Sequence, residues 1–201
     1  SEGNVSATSL DGGASWTVNA LTKSSNCTGG TPANGGNFER ASDPWVAISP
    51  DGTAYLMSLS TDTAPGGFDT NPDDMLVARS TDHGATWEDP VSLNRDESPN
   101  AFNDKNAITA DPNDSDFVYA VWDLVVSPPS GNQNQQAFEN AIAFAGDPLF
   151  ARTTDGGETW ETTGAAVTPG TIGRQLNDPD IHGIAVSATS PSTVFVSTPR
   201  E

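Results

Sequence analysis

The sequence SLDGGASW at residues 9–16 returns as STDHGATW at residues 80–87 and as TTDGGETW at residues 153–160. All three copies follow the pattern [ST]-x-D-x-G-x-[ST]-W, and successive copies start 71 and 73 residues apart. A fixed period indicates a repeated structural unit. Asp accepts hydrogen bonds from nearby backbone N–H groups, and Gly supplies the positive φ of a tight turn. The pattern therefore predicts a recurring turn whose Trp packs against a neighbouring element.

Short β-type runs surround these turns in a regular order. Residues 75–79 (MLVAR) and 148–152 (PLFAR) lead directly into the second and third copies, and residues 54–57 (AYLM) and 117–122 (FVYAVW) lie one strand earlier. One further β-type run lies upstream of residues 54–57 and another upstream of residues 117–122. Each repeat thus holds four short strands, which is the content of one β-propeller blade. We predict an all-β propeller of four-stranded antiparallel blades, about three of them in this chain.

The order of the runs predicts how the blades divide the sequence. We expect a single, partial propeller domain over residues 1–201, with an outer half-blade at 1–20, whole blades at 43–93 and 104–166, and an inner half-blade at 178–201. Three blades would close too tight a ring, since propellers have about four to eight. We therefore expect part of a six-bladed propeller, whose remaining blades come from sequence outside this chain or from a second copy.

Composition and charge exclude several classes of partner. The chain has 27 acidic and 8 basic residues, a formal net charge of −19 at pH 7. Such a surface repels phosphate backbones and anionic lipids, so we expect no nucleic-acid partner. No apolar run approaches the roughly 18 residues of a membrane span, so we expect no membrane insertion. The single cysteine, Cys27, cannot form an internal disulfide.

The eight-residue pattern resembles the Asp-box, or BNR (bacterial neuraminidase) repeat, and the whole chain looks like a propeller of the sialidase-like superfamily. The resemblance implies a secreted or extracellular protein, the cell surface included, that acts on or recognises glycans at its axial face. The Asp-box is specific for the fold but not for an activity, because it also occurs in xyloglucanases, sorting receptors and photosystem assembly factors. A noncatalytic structural or protein-binding propeller is therefore the alternative.

The catalytic residues of a sialidase are not found in this sequence. The resemblance would require an arginine triad, an Asp acid/base and a Tyr nucleophile assisted by Glu. The Arg-Ile-Pro motif is absent, and the only tyrosines, Tyr55 and Tyr119, lie in the middle of predicted strands. We assign no catalytic residue, and the sequence leaves open whether the chain is an enzyme. If it is one, the resemblance implies a glycoside hydrolase.

The fold that the resemblance implies separates structural residues from candidate ligand contacts. The box turns would lie at the face away from the central pocket. We therefore expect a structural role for the box residues Asp11, Trp16, Asp82, Trp87, Asp155 and Trp160. The entries to the inner strands would point toward the axis, which gives as ligand-binding candidates Arg40, Asp43, Asp104, Lys105, Arg174, Asp178 and His182. Arginine offers bidentate recognition of a carboxylate, and surface ion pairing is the alternative role for both arginines. For the aspartates, the alternative to ligand binding is capping of the preceding turn.

The expected partner is a glycan or another small polar ligand, and no cofactor is expected. Two distant histidines and one cysteine give no zinc-ligand spacing, so no metal is predicted either.

Overall fold

A computed structural model of the chain describes residues 2–62, 72–98, 101–126, 145–163 and 183–197. Within these ranges the chain is all-β, as predicted, with one short 3-10 helix at Asn26–Thr28 and no α-helix. The strands are β1 (Ser6–Thr8), β2 (Thr17–Asn19), β3 (Arg40–Ile48), β4 (Ala54–Thr61), β5 (Asp73–Ser80), β6 (Val91–Asp96), β7 (Ala101–Ala110), β8 (Val118–Val126), β9 (Ala145–Thr153), β10 (Glu161–Thr163), β11 (Gly183–Ser187) and β12 (Ser190–Ser197).

The strands form four antiparallel sheets in chain order. Sheet 1 is β1-β2, sheet 2 is β3-β4-β5-β6, sheet 3 is β7-β8-β9-β10 and sheet 4 is β11-β12. The predicted four-stranded antiparallel sheets are therefore present. The eight-residue turns join the third and fourth strands of sheets 2 and 3, and the first copy joins β1 to β2. Because its two strands flank a box turn, sheet 1 corresponds to the third and fourth strands of a four-stranded sheet.

The sheets stack face to face in the order 1, 2, 3, 4. Strand side chains alternate between the two faces of a sheet. In β4, Tyr55, Met57 and Leu59 face sheet 3, while Ala54 and Leu56 belong to the apolar cluster on the opposite face. The core between sheets 2 and 3 consists of Ala47, Tyr55, Met57, Leu59, Met75, Val77, Leu93, Ile108, Val118, Ala120, Trp122, Leu149 and Ala151.

The first strands of sheets 2, 3 and 4 lie beside one another. Strand β7 contacts β3 on one side and β11 on the other. The first and third strands of a sheet run in the same direction, because consecutive strands are antiparallel. The box turn follows the third strand, so it lies at the end of the sheet opposite to the start of the first strand. The starts of the first strands and the box turns are thus at opposite ends of sheets 2 and 3.

Candidate functional site

Each box turn is held by the same hydrogen bonds from its aspartate. Asp155 accepts the backbone N–H of Thr159 at 2.9 Å, the Thr159 hydroxyl, and the Thr153 hydroxyl at 2.7 Å. Asp82 and Asp11 accept the equivalent groups of their own turns. The side-chain hydrogen bond from the residue four positions later is the largest cause that lowers the pKa of each carboxyl to about 2.

The first hydroxyl and the glycine of the box complete the turn. The N–H of Gly157 donates to the Thr153 hydroxyl oxygen at 2.9 Å, and Gly84 and Gly13 donate to the equivalent serines. The φ angle of Gly157 is +87°, in the left-handed region that favours glycine. Because one short segment supplies every donor and acceptor, the turn has no need of a ligand.

Box turns 2 and 3 pack on the preceding sheet. The Trp87 indole is buried and donates to the Ser6 hydroxyl at 2.9 Å, and Trp160 packs against the core between sheets 2 and 3. The sequence predicted that each box Trp packs against a neighbouring element, and Trp16 does not. It is exposed, because no sheet of the described chain precedes sheet 1, and its indole only reaches the Gly13 carbonyl.

The inner strands of sheets 2 and 3 carry a repeated bulge near the middle of each strand. The pairing of β3 with β4 shifts between Ser42 and Trp45, and that of β7 with β8 shifts between Asp104 and Ala107. Asp43 and Lys105 adopt positive φ angles, +49° and +54°, within these two bulges. The register therefore makes Lys105 the counterpart of Asp43, and Asp104 the counterpart of Ser42. Bulges and left-handed non-glycine residues concentrate at functional sites.

A hydrogen bond joins the two bulges. The Asn106 amide donates to the Asp43 carbonyl at 3.0 Å, so the two inner strands meet at this point. Lys105 is exposed, and its ammonium lies 3.9 Å from an Asp104 carboxylate oxygen. We call Asp43, Asp104, Lys105 and Asn106 the bulge cluster.

The other candidates lie in different surroundings. Arg40, at the start of β3, forms an exposed ion pair with Glu2 at 3.3 Å, which is the surface pairing that the sequence left open. Arg174, Asp178 and His182 lie outside the described residues. The structure thus places Asp43, Asp104 and Lys105 at the two joined bulges, with Arg40 at the start of the strand that holds Asp43.

Sequence reasoning missed a buried polar group between sheets 2 and 3. Asp73 and Asn103 are both fully buried, and one Asp73 oxygen accepts the backbone N–H of Asn103 at 3.0 Å and also its side-chain amide. The Asn103 oxygen accepts from Asn94 at 2.7 Å and from the Trp122 indole at 2.9 Å. The second oxygen of Asp73 is buried without a hydrogen-bond partner. Burial raises the pKa of Asp73 to about 7.

Asp74 is buried on the other side of the same strand. Its carboxylate accepts the Ser92 hydroxyl at 2.8 Å, yet burial raises its pKa to about 6. The one sequence signal of this burial was a pair of consecutive acidic residues at the start of an apolar strand. Neighbouring side chains of a strand point to opposite faces of the sheet, so such a pair must direct one carboxyl to each face. Both lie deep in the fold, which makes them structural groups that titrate in an unusual range.

Other site types find no support within the described ranges. There, no three His, Cys, Asp or Glu side chains are arranged to hold a metal ion. No helix in the same ranges has the length and hydropathy of a membrane span.

Comparison with known proteins supports the identity of the repeat. The family model described as "BNR/Asp-box repeat" matches residues 151–162. The third copy is an Asp-box repeat. The first and second copies share its pattern and hydrogen bonds, so three turns of the Asp-box type recur in this chain, two of them within four-stranded sheets. No curated protein matches the chain.

Among solved structures, the chain is similar to one named "Hadza microbial sialidase Hz136". The two share 19% sequence identity at a TM-score of 0.47. The alignment covers 79% of this chain and 30% of the sialidase, so the chain spans under a third of that protein's length.

Proposed function

We propose that this chain is an extracellular glycan-recognition module that binds acidic sugars at the bulge cluster. The observation that carries the proposal is the pair of bulges, joined by the Asn106–Asp43 hydrogen bond, in which Asp43 and Lys105 are both exposed. The Asp-box fold supports the glycan class, because sialidase-like proteins share it.

The chemistry of the cluster suits a sugar that carries both hydroxyls and a carboxylate. Carboxylates such as Asp43 accept hydrogen bonds from sugar hydroxyls, and the Lys105 ammonium donates three charge-assisted hydrogen bonds to an anion. Lys105 is one of only two lysines in a chain of net charge −19, and its exposed ammonium is the one cation of the bulge cluster. The half-exposed Trp45, just after the β3 bulge, offers an apolar face for a sugar ring.

Recognition is favoured over hydrolysis in this chain. A glycosidase needs two carboxyls whose environments push their pKa values apart. Within the described ranges, the carboxyls with a raised pKa are Asp73 and Asp74, and both are buried.

A binding titration of the chain with sialyllactose and with lactose tests the proposal. We expect sialyllactose to bind and lactose to bind more weakly. Lys105→Gln should reduce the sialyllactose affinity roughly tenfold, as expected for the loss of one charged hydrogen bond. The matched control is Lys23→Gln, since Lys23 is the other lysine and is paired with Asp89 at 2.8 Å.

The titration also separates the rival explanations. Equal loss in the two lysine variants would indicate a nonspecific charge effect and contradict the site. Failure of both sugars to bind a folded chain would favour the noncatalytic scaffold. Release of free sugar during incubation would show hydrolysis and refute a purely binding role.

A further inference from the structure

We infer that Asp73 is a positioning residue for the bulge cluster: through Asn103, it holds the β7 backbone in the conformation that presents Lys105. The inference rests on the proposed function, because it adds to the same binding site a residue that is itself too deeply buried to touch a ligand. Asp73 lies at the start of β5 in sheet 2, and Asn103 lies in β7 of sheet 3, two residues before Lys105.

The bulge in β7 needs support from outside its own strand. Lys105 has a φ of +54°, a left-handed conformation that is unfavourable for a residue with a side chain. Such a conformation persists only where the surrounding structure fixes it. The pairing with β8 does not fix it, since the register shifts between Asp104 and Ala107. Contacts on either side of the bulge therefore determine whether Lys105 keeps this conformation.

The residue directly after Lys105 makes the first of these contacts. Asn106 is buried, and its side-chain amide donates to the Asp43 carbonyl of sheet 2 at 3.0 Å. This bond joins sheet 2 to the point at which β7 leaves the bulge. The point at which β7 enters the bulge needs a second contact.

The carboxylate of Asp73 makes that second contact, and it binds the backbone itself. In the described part of the chain, β7 is paired within its sheet only to β8, so N–H groups that point to its other side need acceptors from elsewhere. Asp73 accepts the backbone N–H of Asn103 at 3.0 Å and also the Asn103 side-chain amide. The carboxylate thus fixes the β7 backbone two residues before Lys105.

The side chain of Asn103 is held by further bonds from both sheets. It donates to the Asn94 carbonyl at 3.0 Å, and its oxygen accepts from the Asn94 amide at 2.7 Å and from the Trp122 indole at 2.9 Å. Asn94 belongs to β6 of sheet 2, and Trp122 belongs to β8 of sheet 3. Because Asn103 and Trp122 are fully buried, a displaced Asn103 would leave buried polar groups without partners. Asn103 is therefore a fixed point from which the backbone enters the bulge.

The neighbouring residue Asp74 offers a matched comparison on the same strand. Asp73 and Asp74 are 0% and 2% exposed, so they are equally buried. The side chain of Asp74 points to the opposite face of sheet 2 and accepts the Ser92 hydroxyl at 2.8 Å. Of the two carboxylates, Asp73 is the one that bonds to β7. Loss of Asp74 should thus weaken sheet 2 without releasing the bulge.

NMR spectroscopy and a sialyllactose titration of Asp73→Ala, with Asp74→Ala as the control, test the inference. We expect Asp73→Ala to move the Lys105 Cα and Cβ signals away from those of a left-handed residue. It should also raise the sialyllactose dissociation constant roughly tenfold, because only the fraction of molecules with a formed bulge binds. Asp74→Ala should change neither quantity, although it also lowers the melting temperature. Asp73→Asn keeps an acceptor for the Asn103 N–H, so its affinity should be within about twofold of that of the unmodified chain.

Each of the other outcomes counts against the role of Asp73. Lys105 signals that are unchanged in Asp73→Ala, or equally changed in Asp74→Ala, would overturn the inference, as would an Asp73→Asn variant as weak as Asp73→Ala. If Asp73→Ala does not fold, amide hydrogen exchange of the unmodified chain decides. Slow exchange of the Asn103 N–H together with left-handed Lys105 signals would support the inference, and fast exchange would overturn it. An unmodified chain that binds no sialyllactose would contradict the proposed function alone, because the Lys105 signals test Asp73 without a sugar.

Discussion

At the scale of single residues, the box aspartate stabilises the fold through hydrogen bonds that lie within its own turn. We expect Asp155→Ala to lower the melting temperature, because the N–H of Thr159 and two hydroxyls lose their acceptor. Sugar affinity per folded molecule should not change, since the box lies at the end away from the bulge cluster. Calorimetry and a sugar titration on the same sample measure both quantities.

Glu158 provides the control for that substitution within the same turn. Its carboxylate is exposed and only 4.0 Å from Arg79, so Glu158→Ala should leave the melting temperature nearly unchanged. A large loss of affinity in Asp155→Ala at an unchanged melting temperature would contradict the structural role.

At the scale of one turn packed on a sheet, two glycines separate backbone strain from steric crowding. Gly13 and Gly157 occupy the same box position with φ of +93° and +87°, so alanine is strained at both. A Cβ on Gly157 would lie 2.7 Å from the buried Tyr55 ring, whereas on Gly13 its nearest neighbour is Trp16 at 3.8 Å. We expect Gly157→Ala to reduce the free energy of unfolding by about 1 to 3 kcal/mol more than Gly13→Ala. Urea denaturation measures the difference, and equal losses would mean that the third box does not press on Tyr55.

The elements also show what the sequence could and could not predict. The turns and strand order were predictable because the hydrogen bonds that shape each box aspartate's turn come from within its own eight residues, and apolar runs mark the strands around it. The bulges, which make Lys105 the counterpart of Asp43, were not predictable, because a register shift depends on pairing with β4 and β8. The buried state of Asp73 was not predictable, since its partner Asn103 lies 30 residues away across two sheets. An acidic pair before a strand has the same sequence whether solvent or another sheet covers it.

At the scale of the whole molecule, the acidic residues divide into two groups with opposite effects on stability. The box carboxyls have a pKa lowered to about 2 from 3.8, so their contribution is present above about pH 4 and is lost as the pH falls toward 2. Asp73 and Asp74 have pKa values raised to about 7 and about 6, so their contribution is present below about pH 4 and is lost as the pH rises through those values. The two effects together set a stability maximum on the acidic side of neutrality.

We therefore expect the chain to be most stable near pH 4 to 5 and to lose stability between about pH 5 and 7. The loss is at most about 1.4 kcal/mol per pH unit for each buried carboxyl. Urea denaturation across this range measures the slope, but repulsion within a chain of net charge −19 also grows as the pH rises. Asp73→Asn separates the two causes, because it removes the buried titrating group and leaves nearly all of the surface charge. The slope between pH 5 and 7 should flatten in this variant, and carbon NMR of the Asp73 carboxyl in the unmodified chain should show its titration near pH 7. A carboxyl that titrates near pH 4, or a slope unchanged in the variant, would mean that Asp73 is solvated and that Asp74 and surface repulsion set the pH dependence.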